Sequence, residues 1–188
     1  LKRLKSVLDF PVYTVQAGNI KSDIIAKNTN GNQKRFPSIP WFLDSQKGIG
    51  MGRRQCTKEY KLSPLRKKVR ELLGGKVWNG ACEMWIGITI DEISRMKESS
   101  VKFIKNRWPL IEKRMSRNDC IQWLAKHRWS IPKSSCIGCP FHNDNQWREL
   151  KKNPEEWADA VYIDGLIRNG GTSGIRGKQY MHRSCKPL

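Results

Sequence analysis

Glu83-Met84-Trp85-Ile86-Gly87-Ile88-Thr89-Ile90 is the stretch whose reading decides the fold. It is rich in large apolar and β-branched residues, follows the turn pair Asn79-Gly80 and ends at Asp91-Glu92, so it reads as a strand. Gly87 within it suggests a close backbone approach. Asp91, Glu92 and Arg95 stand at and beyond its end, where open α/β sheets keep their ligands. The plainer reading of Asp91 is a cap for a helix running to Met96.

Toward the N-terminus, Leu1, Leu4, Val7 and Leu8 have the spacing of a helical face. Phe10 to Val15 reads as a buried strand, and a short helix is expected over 20–27. The polar run 28–34 reads as an exposed loop, and the two prolines of 35–42 forbid helix there. Gly48-Ile49-Gly50-Met51-Gly52-Arg53-Arg54-Gln55-Cys56-Thr57 follows. Its glycines let backbone approach a ligand, and Arg53 and Arg54 place phosphate-matching guanidinium groups beside them. Cys56 stands at the start of a predicted helix near several cations, a setting that lowers a thiol pKa and favours metal ligation or nucleophilic attack. The plain alternative is a loop with a buried structural cysteine. Pro64 opens the next helix, which closes at Gly74-Gly75.

Toward the C-terminus, Ser116 to Asp119 forms a capping-box signal for a helix carrying Cys120, Trp123 and Leu124 on its apolar face. Cys120 therefore reads as core, as does Cys82 before the strand. Cys136-Ile137-Gly138-Cys139-Pro140 is a C-x-x-C turn, half of a zinc or iron–sulfur thiolate site or else a redox dithiol. A helical stretch over 145–168, interrupted near Asn153-Pro154, has Trp147, Leu150, Trp157, Val161 and Leu166 as core candidates. A glycine-rich loop over 169–177 leads to a tail in which His182 and Cys185 are further potential ligands.

The 188 residues suffice for a domain with a real core. No apolar run reaches the roughly 18 residues of a membrane span. Leu1 to Lys5 has neither an initiator Met nor the apolar run of a signal peptide, so the chain is expected to start inside a larger reading frame. Lys and Arg exceed Asp and Glu by 36 − 17 = 19, a field that attracts polyanions: nucleotides, DNA or RNA, or membrane phosphates. A solvated basic surface is the bland equivalent. Six cysteines without a secretion signal predict a reducing, cytoplasmic setting and metal or catalytic use rather than disulfides.

Strands alternating with helices indicate an α/β layered fold. Four motifs then occur in order: Arg54-Gln55-Cys56-Thr57 with Lys61 and Pro64-Leu65; Gly87 to Arg95; Trp108-Pro109-Leu110; and Ser135-Cys136-Ile137-Gly138-Cys139-Pro140 with Trp147. Together they resemble the phosphoadenosine-phosphosulfate (PAPS) reductase family of the adenine-nucleotide alpha-hydrolase-like superfamily, most closely its phage and prophage variants. The resemblance runs from about Phe10 to Leu188. It implies a Rossmann-like parallel sheet with flanking helices, incomplete at its N-terminus, over residues 1–115. Residues 116–188 are expected to form a helical, cysteine-rich C-terminal part.

The resemblance also implies an adenine nucleotide held by Arg53, Arg54, Lys61 and Arg95, and an iron–sulfur cluster in some branches on Cys56, Cys136 and Cys139. For the fourth ligand the expectation is Cys185, giving a [4Fe–4S] set, with zinc as the alternative metal. Three departures stand against the pattern. The Ser-Gly-Gly phosphate loop is absent, Gln55-Cys56 replaces two adjacent cysteines, and Arg183-Ser184-Cys185 does not match the reductases' catalytic tail. The activity class implied is therefore sulfur transfer or nucleotide chemistry, as an oxidoreductase or sulfurtransferase. The competing class is a zinc module binding nucleic acid without catalysis, or an inactive relative.

Overall fold

The computed structural model describes residues 2–29, 39–131, 136–169 and 177–188. In chain order its elements are α1 (Lys2–Val7), α2 (Ile20–Thr29), β1 (Phe42–Ser45), β2 (Gly48–Met51), a π-helical turn (Lys58–Leu62), α3 (Ser63–Leu72) and β3 (Cys82–Trp85). They continue with a 3₁₀ helix (Ile90–Arg95), β4 (Ile104–Arg107), α4 (Pro109–Glu112), α5 (Arg117–Lys126), α6 (Asp144–Lys151), α7 (Pro154–Asn169) and β5 (Lys178–Tyr180). The fold is mixed α/β with small sheets, one of them parallel. It forms two compact units, Leu1–Leu65 with Ser135–Leu188, and Arg66–Ser134. Among the described residues no helix is long and apolar enough to cross a membrane.

In the first unit β1 lies between β2 and β5, antiparallel to both. Phe42 is opposite Met51 on one side and Tyr180 on the other. Gly177, at φ +116°, admits the tail: a Cβ there would lie 2.4 Å from the Asp44 carbonyl oxygen. The core gathers Trp41 and Ile39 before β1, Met181 after β5, Ile24 of α2, Trp147 of α6, and Ala160, Ile163 and Ile167 of α7.

Trp147 is buried as its pattern predicts, whereas Val161 is exposed and Leu150, Trp157 and Leu166 are half-buried. The buried stripe of α7 is rotated because Asp164 belongs to it. That carboxylate is fully buried and accepts the N–H of Met181 at 3.0 Å, the N–H of Leu188 at 3.2 Å and a bond from Arg168. A periodicity rule puts an aspartate in water; here it anchors the tail.

In the second unit β3 and β4 run parallel, with Cys82 opposite Ile104 and Trp85 opposite Arg107. Ile88, Thr89, Phe103 and Ile104 are buried. The expected strand over 83–90 is shorter than its apolar run. Its last rung is Ile86 N–H to the Arg107 carbonyl at 2.9 Å, and the partner chain segment then turns into α4 at Pro109, which has no N–H to offer. Asp91 does cap a helix, but a different one from that expected: its Oδ2 accepts the N–H of Arg117 at 2.5 Å, at the start of α5. Ser116 and Asp119 form the predicted capping box of α5. Trp123 is not core; it is exposed and stacks on His127, with ring centroids 4.0 Å apart.

Phe10 to Val15 forms no strand, and Phe10 and Tyr13 are exposed. Pro11 removes one ladder donor from that run. The glycine-rich stretch Gly48–Met51 is β2 rather than a loop, with Gly50 opposite Leu43. The loops expected over 28–34 and 169–177 fall mostly outside the described residues, although Asn28 and Thr29 belong to α2.

The buried Asp164 makes a direct prediction. Asp164→Ala leaves the Arg168 charge and two backbone N–H groups without their acceptor, and a broken buried pair costs about 3–5 kcal/mol. Urea unfolding should show that loss, with a smaller one for Asp164→Asn.

Candidate functional site

The C-x-x-C turn is built by packing. Cys139 N–H donates to the Cys136 carbonyl at 3.0 Å, and His142 N–H to the Cys139 carbonyl at 3.2 Å. Gly138 is buried, and a Cβ on it would sit 3.4 Å from Trp41 Cη2 and 3.7 Å from Met181 Cε. Its glycine serves close approach to the Trp41 indole and not a positive φ. Ile137 and Cys56 pack partly against the same core.

Cys56 begins the helical stretch that leads into the π turn, as its sequence position predicts. Pro64 explains the turn: it has no N–H for the Tyr60 carbonyl, and its ring crowds that oxygen in a regular α-helix. Widening one turn relieves both problems, and Ser63 N–H bonds instead to the Lys58 carbonyl. Lys61 lies in this widened turn.

These residues meet around Cys136. Desolvation is the largest influence on its thiol and pushes the pKa up, although the residue as a whole is exposed. The Gly138 N–H opposes that rise, Cys139 and Cys56 add to it as neighbouring thiols, and Lys61 pulls it down. Cys56, Lys61 and Cys139 thus each act on the Cys136 thiol, although a long stretch of chain separates Cys56 and Lys61 from it. Arg54 joins this neighbourhood, its guanidinium 5.2 Å from the centroid of the Phe141 ring. Arg53 is exposed beside it. Arg95 belongs to the second unit, where it is paired with Glu92.

Cys185 has other company. It is half-buried at φ +51°, with its N–H on the His182 carbonyl at 3.0 Å. Desolvation first, then the charge of Asp44, push its thiol pKa up. The tail around it is clipped to α6: Asp144 accepts from Arg183 at 2.8 Å and lies 3.4 Å from His182 Nε2. Burial works against ionisation of Asp144, but His182 and Arg183 together hold its carboxyl below the usual range. Sequence reading overlooked His142, which is buried with its ring edge-on to Trp147, centroids 4.8 Å apart. Its signal was the spacing, an imidazole three residues beyond Cys139.

Among the described residues no three His, Cys, Asp or Glu side chains stand close enough together to hold a metal ion. The donor chemistry nevertheless suits one: two thiols and a lysine act on the Cys136 thiol, and soft thiolates select zinc and iron–sulfur clusters. No family model, curated protein or solved structure matches the chain.

The raised Cys136 pKa sets its reactivity. Below that pKa the thiol is protonated, so iodoacetamide should alkylate Cys136 more slowly at neutral pH than an unstructured cysteine, with the rate climbing as pH rises. Lys61→Ala removes a pKa-lowering charge and should slow the reaction further, as read by mass spectrometry of the alkylated peptide.

Proposed function

We propose that the chain is a PAPS-reductase-like protein with a Rossmann-like nucleotide-binding part. In this reading Cys56, Cys136 and Cys139, with Cys185 as fourth donor, hold a [4Fe–4S] cluster, Arg53, Arg54 and Lys61 hold the anionic groups of an adenine nucleotide, and Arg95 is an anion-binding residue of the second unit. The observation that carries it is the gathering of Cys56, Cys139 and Lys61 about the Cys136 thiol. Thiols alone suit many structural roles; thiols sharing their surroundings with a lysine and a nearby arginine suit sulfur chemistry on an anion.

Several features support the assignment of roles. Arg54 is steadied on Phe141, directly after the C-x-x-C, so its planar fork is fixed beside the thiols and favours a phosphate or sulfate. Lys61 adds a compact charge from the π turn. Met181 touches the C-x-x-C turn four residues before Cys185, which favours the tail as the source of the fourth thiolate. Arg95 follows the C-terminal end of the parallel strand β3, as ligand-binding groups do in Rossmann-like sheets. A cluster on these thiolates would supply electron transfer or sulfur relay, the chemistry of an oxidoreductase or a sulfurtransferase. The chain's own residues bind the anion, keep the thiols partly desolvated and lose their protons when metal enters.

Anaerobic purification followed by iron, acid-labile sulfide and zinc analysis tests the metal. Broad visible absorbance with iron and sulfide is expected, lost in Cys56→Ser and in Cys136→Ser; stoichiometric zinc without colour would make the site a structural zinc centre instead. Calorimetric titration with adenosine 5′-phosphosulfate tests the nucleotide. Arg54→Ala and Lys61→Ala should each weaken binding roughly tenfold, the loss expected for one hydrogen bond to a charged group. Arg95→Ala in the same titration tests the second unit's share, and unchanged affinity in all three variants would refute the anion site.

A further inference from the structure

The outer face of the β3–β4 pair carries a fixed aromatic surface. Alternate residues share a face of a strand, and the register places Glu83 opposite Lys105 and Trp85 opposite Arg107. All four are exposed, and Trp85 keeps 65% of its surface in water. Its indole is nevertheless held on two sides. Nε1 donates to Glu83 Oε1 at 2.6 Å, and the Arg107 guanidinium lies 5.2 Å from the ring centroid. Arg107 is in turn fixed by Glu112, with Nε 2.9 Å and 3.1 Å from the two carboxylate oxygens and a terminal nitrogen at 3.0 Å, and by Glu83 at 3.3 Å. The Trp85 N–H first, then Arg107, hold the Glu83 carboxyl below the usual range, so the clamp persists through mildly acidic pH.

A large apolar ring presented to water and locked in orientation is a poor way to meet solvent and a good way to stack a flat partner. The charge nearby indicates which partner. Basic residues outnumber acidic ones more than two to one between Arg66 and Ser134, and most of the chain's eight tryptophans lie in that segment. A protein-docking patch would be ringed by further apolar side chains; this ring is held by charged groups instead, Glu83 and Arg107, with Lys105 opposite Glu83. We propose that the outer face of the β3–β4 pair binds single-stranded nucleic acid, with a base stacked on Trp85 and the backbone phosphates drawn to Lys105. A single strand fits and a duplex does not, because paired bases have their faces already stacked. The site is independent of the cysteines and of the nucleotide reading above.

Fluorescence anisotropy with a labelled oligothymidylate of about 16 nucleotides, the upper span of one single-strand site, tests this. The full chain should bind it more tightly than a duplex of the same length, with affinity falling as salt rises. Trp85→Ala should weaken binding roughly 5- to 150-fold, the ratio corresponding to about 1–3 kcal/mol per stacked base. Trp85→Phe keeps a π face and should retain most of the affinity. Lys105→Glu, an exposed change, should weaken binding and flatten its salt dependence, and it decides the matter should Trp85→Ala lose its circular dichroism spectrum. Cys56→Ser should leave oligonucleotide affinity unchanged while removing metal, which separates this site from the thiolate centre. Equal affinity for duplex and single strand, or undiminished binding in both Trp85→Ala and Lys105→Glu, would overturn the proposal.

Discussion

The burial of Trp41 is the constraint on which the first unit depends. Its side chain is 1% exposed, its N–H bonds to the Ile39 carbonyl at 3.0 Å, and its own carbonyl accepts the Gly52 N–H at 2.9 Å. Truncating a buried tryptophan typically costs about 3–5 kcal/mol, against about 1 kcal/mol for a typical hydrogen bond, so packing on this indole decides where its neighbours lie and the bonds refine it. The C-x-x-C turn reaches it through Gly138, the tail through Met181, and the approach to Arg53 and Cys56 through Gly52. Segments remote in sequence, each bearing cysteine, thus meet at Trp41, Gly138 at its ring and Gly52 at its backbone.

Polar anchors complete what that packing begins. Asp164 holds both ends of the 181–188 tail by backbone N–H groups, and Asp144 holds its middle through His182 and Arg183. Buried carboxylates are costly unless paired and hydrogen-bonded, and Asp164 is both. Met181 and Leu188 pack on the core at the ends of the tail, and charge fixes the polar residues between them. That is how Cys185, half-buried at a positive φ, keeps a defined place.

Local chemistry was legible in the sequence and long-range chemistry was not. The capping box at Ser116 and Asp119, the break at Asn153-Pro154 and the start of a helix at Cys56 each depend on residues within a few positions, and each is found. Strand reading failed where pairing decides the outcome. Gly48–Met51 has the composition of a loop yet pairs with β1, while Phe10 to Val15 has the composition of a strand and forms none. β5 was unreadable because Lys178–Tyr180 owes its place to β1 and to Asp164. The α7 face was misjudged for the same reason, since no periodicity rule foresees a buried aspartate with two backbone donors in a distant tail. At the site, the C-x-x-C, Cys56 and Lys61 were visible as residue types, but that Arg54 lies on Phe141 and that Cys185 neighbours Asp44 follow from packing alone.

The thiols also show what the chain's positive charge does not do. An excess of 19 charges invites the expectation that cysteines here ionise easily, yet the Cys136 pKa rises. Desolvation acts at contact distance, whereas exposed charges are screened over about 8–10 Å at moderate salt. Lys61 and the Gly138 N–H lower this thiol's pKa, and they do not outweigh burial and two neighbouring sulfurs. The general positive field is therefore not a device for activating cysteine. Under the metal reading proposed above, ionisation of the thiols would come from a charge that binds them directly.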